Sequence, residues 1–278
     1  QSIYANAVLE VFMLWVELPT DGRTGARNRA VRLLGVFVVL LLLGGTAVVG
    51  TAAAQEEISN AQELQDMRDD LDADYVLVDD VDASSIANFE PVGNVSQPFT
   101  GSFDGMGNDI NNLNINRPSA DDVGLFGNVG AGGMVKNVGV LGVNITANND
   151  VGGVIGSNLG GDTDRLRVTG TIDANNDVGG LVGDNDAGNI ADSYVEADIT
   201  ADTDVGGLVG VDDGGEVDGS HFVGNIEADD DVGGLIGDND AGDTTNSYAE
   251  IVIAATTNGD DVGGLIGIDD GGDVINSN

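Results

Sequence analysis

The chain has 278 residues, no cysteine and a formal charge of −39. Without cysteine there are no disulfides and no thiolate metal sites. Beyond residue 54, 45 carboxylates face only Arg68, Arg117, Lys136, Arg165 and Arg167, which sets the chain against nucleic acid and anionic membrane surfaces, since both are bound by clustered Lys and Arg.

Residues 1–27 start at Gln1, reach Met13 late and are an extension with no assigned function. Residues 28–54 read as a signal peptide or a membrane anchor. Arg27, Arg29 and Arg32 precede an apolar run over 33–54 that closes on Ala52-Ala53-Ala54-Gln55. A basic start, an apolar middle and an A-x-A ending mark a cleaved export signal, with the cut expected after Ala54. Left uncleaved, the run of 22 residues is long enough to span a bilayer and is the one membrane contact expected. Either way the basic flank stays inside and the remainder lies outside the cell, secreted or on its surface.

Segment 55–74 is predicted to cap the open end of a repeat stack. A helix over 58–73 takes Ser59 as its N-cap and places Leu64, Met67 and Leu71 on one face. A strand over 75–78, Tyr-Val-Leu-Val, comes next.

Residues 75–278 are repetitive. The phrase VGGVIG at 151–156 returns as VGGLVG at 178–183 and 205–210 and as VGGLIG at 232–237 and 262–267, with a short form, VGLFG, at 123–127. The steps between first valines are 28, 27, 27, 27 and 30 residues. A period this regular means stacked similar units rather than one globular core. Seventeen, 19 and 21 residues after the valine, each unit alternates small or apolar residues with polar ones: Val168, Gly170, Ile172; Val195, Ala197, Ile199; Phe222, Gly224, Ile226; Ala249, Ile251, Ile253. Period two is a strand with one buried face. Each repeat is read as a Gly-Leu-Val-Gly strand, a turn, the alternating strand and a second turn, with paired glycines at sharp corners. A unit of 27 residues cannot close its own core, so equivalent strands stack in parallel. The predicted fold is all-β, a right-handed parallel β-helix (β-solenoid) with a short N-terminal capping helix.

The VGG-L-[VI]-G phrase resembles the GLUG motif. The lead-in FTGSFDGMG at 99–107, the stretch 110–115 and YVLVDDVD at 75–82 are similar to the segment that precedes GLUG repeats. The resemblance implies a large secreted or surface protein of adhesin-like kind and supplies no catalytic site. The Asp excess and scarce Lys resemble proteins of halophilic archaea. In molar salt the Debye length falls to about 3 Å and self-repulsion is screened.

Four groups of residues are candidate sites. Asp184 and Asp186, and Asp238 and Asp240, stand in D-N-D-x-G turns that gather hard oxygen ligands for calcium, or else are solvated turns chosen for their geometry. Asp150, Asp177, Asp204, Asp231 and Asp261 each precede a repeat valine and form a column that bound monovalent cations or protonation must relieve. Arg167, Tyr194, His221 and Tyr248 form an outward row, either a glycan contact or ordinary cross-coil stacking. Asn94-Val-Ser96 and Asn144-Ile-Thr146 are N-glycosylation sequons.

No catalytic group is assigned, and no cofactor is expected beyond those cations. His221 is the one histidine, and H-E-x-x-H is absent from the sequence. The expectation is a non-enzymatic repeat region for adhesion, cell-envelope structure or surface display in high salt, with surface glycans or other envelope proteins as partners. The alternative is a polysaccharide-active β-helix enzyme, or a non-catalytic region of a larger surface enzyme. Residues 271–278 match only the start of a repeat, so further coils, an anchor or a catalytic domain are expected beyond them.

Overall fold

The computed structural model of the protein describes residues 55–255 and 261–278; the extension 1–27 and the apolar segment 28–54 lie outside them. Three parallel sheets run through the repeats, and successive coils add a strand to each in turn. A short wall collects Asn149–Gly152, Asn176–Gly179, Thr203–Gly206, Val232–Gly233 and Val262–Gly263. A middle wall collects Phe126–Gly130, Ile155–Leu159, Val182–Asn185, Val209–Asp212, Ile236–Asn239 and Ile266–Asp269. The long wall includes Met134–Thr146, Asp162–Asp173, Tyr194–Thr200, His221–Ala228 and Tyr248–Ala255. The fold is a parallel β-solenoid, as the period requires.

Pairing follows the repeat valines: Val123, Val151, Val178, Val205, Val232 and Val262 are successive partners across coils. The alternating residues point as predicted, with Val195, Ala197 and Ile199 buried between exposed Glu196 and Asp198. Each coil thus adds one layer of Val, Leu and Ile to a continuous interior. The first coils are richer in buried aromatic residues. There Tyr75, Phe99, Phe103 and Phe126 are fully buried, with Phe99 and Phe126 ring centroids 4.9 Å apart.

Two local expectations are corrected. The phrase is not one strand: Val178-Gly179 ends a short-wall strand, Val182-Gly183 starts a middle-wall strand, and the chain bends at Gly180-Leu181 between them. The cause is close approach between coils. A Cβ at Gly207 would strike the carbonyl of Gly234 and the ring of Phe222, so only glycine lets the corners nest. The helix is also shorter than predicted. Ile58 ends strand Glu56–Ile58, and Asn60 rather than Ser59 caps helix Ala61–Asp66, its side chain accepting from the backbone N–H groups of Gln62 and Glu63. A 3-10 turn, Met67–Asp69, comes after it. Leu64 and Met67 are nonetheless fully buried in the common core, and Gln65 exchanges two hydrogen bonds with the Glu90 backbone.

Candidate functional site

On the long wall the outward row forms as predicted. Arg167, Tyr194, His221 and Tyr248 are successive cross-strand partners. Ring centroids of Tyr194 and His221 lie 4.6 Å apart; those of His221 and Tyr248 lie 4.7 Å apart with planes within 10°. The His221 and Tyr248 faces are therefore turned on each other along the stack, which is cross-coil stacking, and their edges are left outward. Burial lowers the His221 imidazole below its ordinary value, against the pull of the Glu250 carboxylate.

The row is set by residues that sequence reasoning misses. Just before it runs a buried serine ladder: Leu166 N–H donates to Ser193 Oγ, Ser193 N–H to Ser220 Oγ and Ser220 N–H to Ser247 Oγ, at 3.0–3.2 Å. One residue earlier, Asn137, Arg165, Asp192, Gly219 and Asn246 all take left-handed φ, between 48° and 61°. Their signal is Asp, Gly or Asn before Ser at a fixed offset, which only a left-handed column explains.

At the opposite corner, Asp150, Asp177, Asp204 and Asp231 also have left-handed φ, between 50° and 55°. Aspartate tolerates this conformation, which accounts for its place before each valine. Stacked at the strand spacing of about 5 Å, the acids still feel one another. Burial first, then the Asp177 carboxylate and other neighbours, push Asp150 up to about 7. Burial and Asp204 push Asp177 to about 6.

Stacking adds a third acid to one of the two candidate calcium turns. Asp184 and Asp186 are joined by Asp213 of the next coil, and one oxygen from each of the three lies within 4.8 Å of the others. Asp213 escapes sequence reasoning because its own turn, Val211-Asp-Asp-Gly-Gly, lacks the D-N-D pattern. Burial, then Asp186 and Asp213, push Asp184 up to about 7; Asp238 reaches about 6 through burial and Asp240 first. Along the middle wall the column reads Ser157, Asp184, Val211, Asp238, Ile268, so acid alternates with other residues.

Beside it runs a buried amide ladder. Asn158 Nδ2 donates to the Gly161 carbonyl and to Asn185 Oδ1, both at 2.9 Å; Asn185 Nδ2 donates to the Gly188 carbonyl and to Asp212 Oδ1, both at 2.9 Å. Asp212 is fully buried in the position its neighbours give to asparagine, and its Oδ2 makes no hydrogen bond. Burial pushes its carboxyl up to about 6 against the pull of the Asn185 amide.

The two sequons differ in setting. Asn94 sits on an exposed tight turn closed onto Gln97. Asn144 lies within a paired strand, where its Nδ2 already donates to Asn114 Oδ1 at 2.8 Å.

A family model described as "The GLUG motif" matches residues 174–200, one coil of the stack. The chain is 36% identical over 137 residues to halomucin of Haloquadratum walsbyi, a match covering 44% of this chain and 2% of that protein. It is 32% identical over 121 residues to a protein of Evansella cellulosilytica provisionally described as a Gly-rich membrane protein, covering 40% of this chain and 14% of that one. The chain thus spans a small fraction of the curated relatives it matches. A crystal structure of a Bacteroides ovatus protein, provisionally described as an immunoglobulin A1 protease, superposes with a TM-score of 0.54 at 19% identity, over 81% of this chain and 84% of the other, which speaks for shared fold alone. Residues 174–200 match the GLUG motif, and the coils on either side of them pair in the same register.

Proposed function

We propose that the chain is a non-enzymatic, salt-adapted segment of a secreted or cell-surface protein, and that it works by presenting its long wall to the medium. The observation that carries this reading is the wall itself, where the same row of side chains recurs at the same height in successive coils. A repeated linear surface suits binding or spacing along its length, as solenoids provide. Similarity to halomucin and to a protein described as a Gly-rich membrane protein supports a place at the cell surface. An epitope inserted at the exposed Ala131-Gly132 turn should be stained on intact cells and removed by external protease. Staining only after lysis would overturn the reading. Steady release of reducing ends from any polysaccharide would replace it with the enzymatic alternative.

A further inference from the structure

We propose that an open cleft on the long wall, bordered by Arg165 and Arg167, is a binding site for a carboxylate-bearing sugar. It rests on the surface reading only in supposing that this wall meets the medium. The cleft has a volume of about 560 Å³ and is lined among others by Met106, Asp109, Asn137, Arg165 and Arg167. That is room for one or two sugar rings, within the range of ordinary ligand pockets.

Three observations converge on it. Arg165, Arg167 and Lys136 of the adjoining coil are three of the five cations beyond residue 54, and their sites are brought together by pairing of Met134–Thr146 with Asp162–Asp173. They are balanced locally: Arg167 holds Asp109 at 3.3 Å, Arg165 holds Asp164 at 2.7 Å and Lys136 holds Asp104 at 3.7 Å. With only five cations beyond residue 54 against 45 carboxylates, the part of the wall that gathers three of them is where an anion meets least repulsion.

The second observation is conformational. Arg165 has φ 53°, in the column that other coils fill with Asn137, Asp192, Gly219 and Asn246. A long side chain costs about 1–2 kcal/mol in that region, more than Asn or Gly would. Strain of this kind concentrates where a side chain has a task. The third is unused donor capacity. Arg165 spends Nε on Asn137 Oδ1 and Nη2 on Asp164, while Arg167 spends only Nη2 on Asp109. Nη1 of Arg165 and Nε and Nη1 of Arg167 remain for a ligand, and a guanidinium fork matches a carboxylate.

The sugar ring is argued from the rest of the lining. Met106 stands 66% exposed and offers an apolar cover, while the Asp109 carboxylate, engaged among the described residues only by Arg167, keeps lone pairs for sugar hydroxyls. An acidic protein surface is a poorer occupant, since it brings many charges against the surrounding wall, whereas a sugar acid brings one per residue. At molar salt long-range attraction is screened, so contact hydrogen bonds must carry the selectivity.

Titration calorimetry at molar salt, with β-1,4-linked triglucuronate and its methyl ester as probes, tests this. Saturable binding of the acid is expected, weaker by about tenfold or more for the ester and for Arg167→Lys, which keeps the charge but loses the fork. The Arg165→Gln/Arg167→Gln variant, checked for retained β signal, should not bind. No binding of the acid, equal affinity for the ester, or unchanged affinity in the double variant each overturns the site. Staining of intact cells is independent of these results, so a failed site leaves the surface reading standing.

Discussion

Asp212 shows how one side chain can tie a solenoid to pH. Its Oδ2 takes the position of the Asn158 and Asn185 Nδ2 groups, whose partners are a glycine carbonyl and the next ladder oxygen, both acceptors. If the repeat holds at Asp212, a carboxylate oxygen there has no donor to accept from, as its missing hydrogen bond agrees, whereas the neutral acid can donate. The carboxyl is raised from 3.8 to about 6, so the folded state holds a proton that the unfolded chain has released between those values. Stability contributed by Asp212 is full below pH 3.8 and is lost as pH rises through about 6, on the order of 3 kcal/mol in all. Asp212→Asn restores the donor without titration. Thermal melts should show the variant more stable than the parent at pH 8 and nearly equal to it at pH 4, an effect on the order of 1–3 kcal/mol. Parallel melting curves across that range would refute the protonated ladder.

Within the coil, the serine ladder and the glycine corners hold the wall in register. Ser220→Ala leaves the Ser193 N–H buried without its acceptor, a loss of about 1–3 kcal/mol that denaturant unfolding should detect. Gly207→Ala forces a methyl against the Gly234 carbonyl and the Phe222 ring, and overpacking there should cost about 1–3 kcal/mol in the same measurement. The strands and the core were legible in the sequence because period-two alternation is written in side chains: Val195, Ala197 and Ile199 fall inside as read. The row from Arg167 to Tyr248 was equally legible as one wall. The corner inside the VGG phrase was hidden, since what bends the chain is contact with the next coil's backbone. Asp213 was hidden for a related reason: its partners Asp184 and Asp186 belong to the preceding coil, and no motif within one turn records them. Arg165 is unremarkable until its φ is known.

Across the whole solenoid, charge and burial act together. Asp150 and Asp184 are raised to about 7, and Asp177 and Asp238 to about 6, each by burial first and neighbouring acids next. Raised carboxyls mean that stability falls as pH climbs through 6–7. In dilute buffer the β signal in circular dichroism should therefore melt at a lower temperature at pH 8 than at about pH 5, and molar salt should narrow the gap by screening the part due to neighbours. A gap that salt leaves untouched would assign the shifts to burial alone. The middle-wall column adds a constraint on length. Because Val211 separates Asp184 from Asp238, like charges there stand two strand spacings apart, about 10 Å instead of 5 Å. Removing residues 205–231 makes Asp184 and Asp238 neighbours and should raise the salt needed to fold, whereas removing 178–231 sets Asp238 beside Ser157 and should not. The charge pattern of this column repeats every two coils, so loss of two coils keeps it and loss of one breaks it.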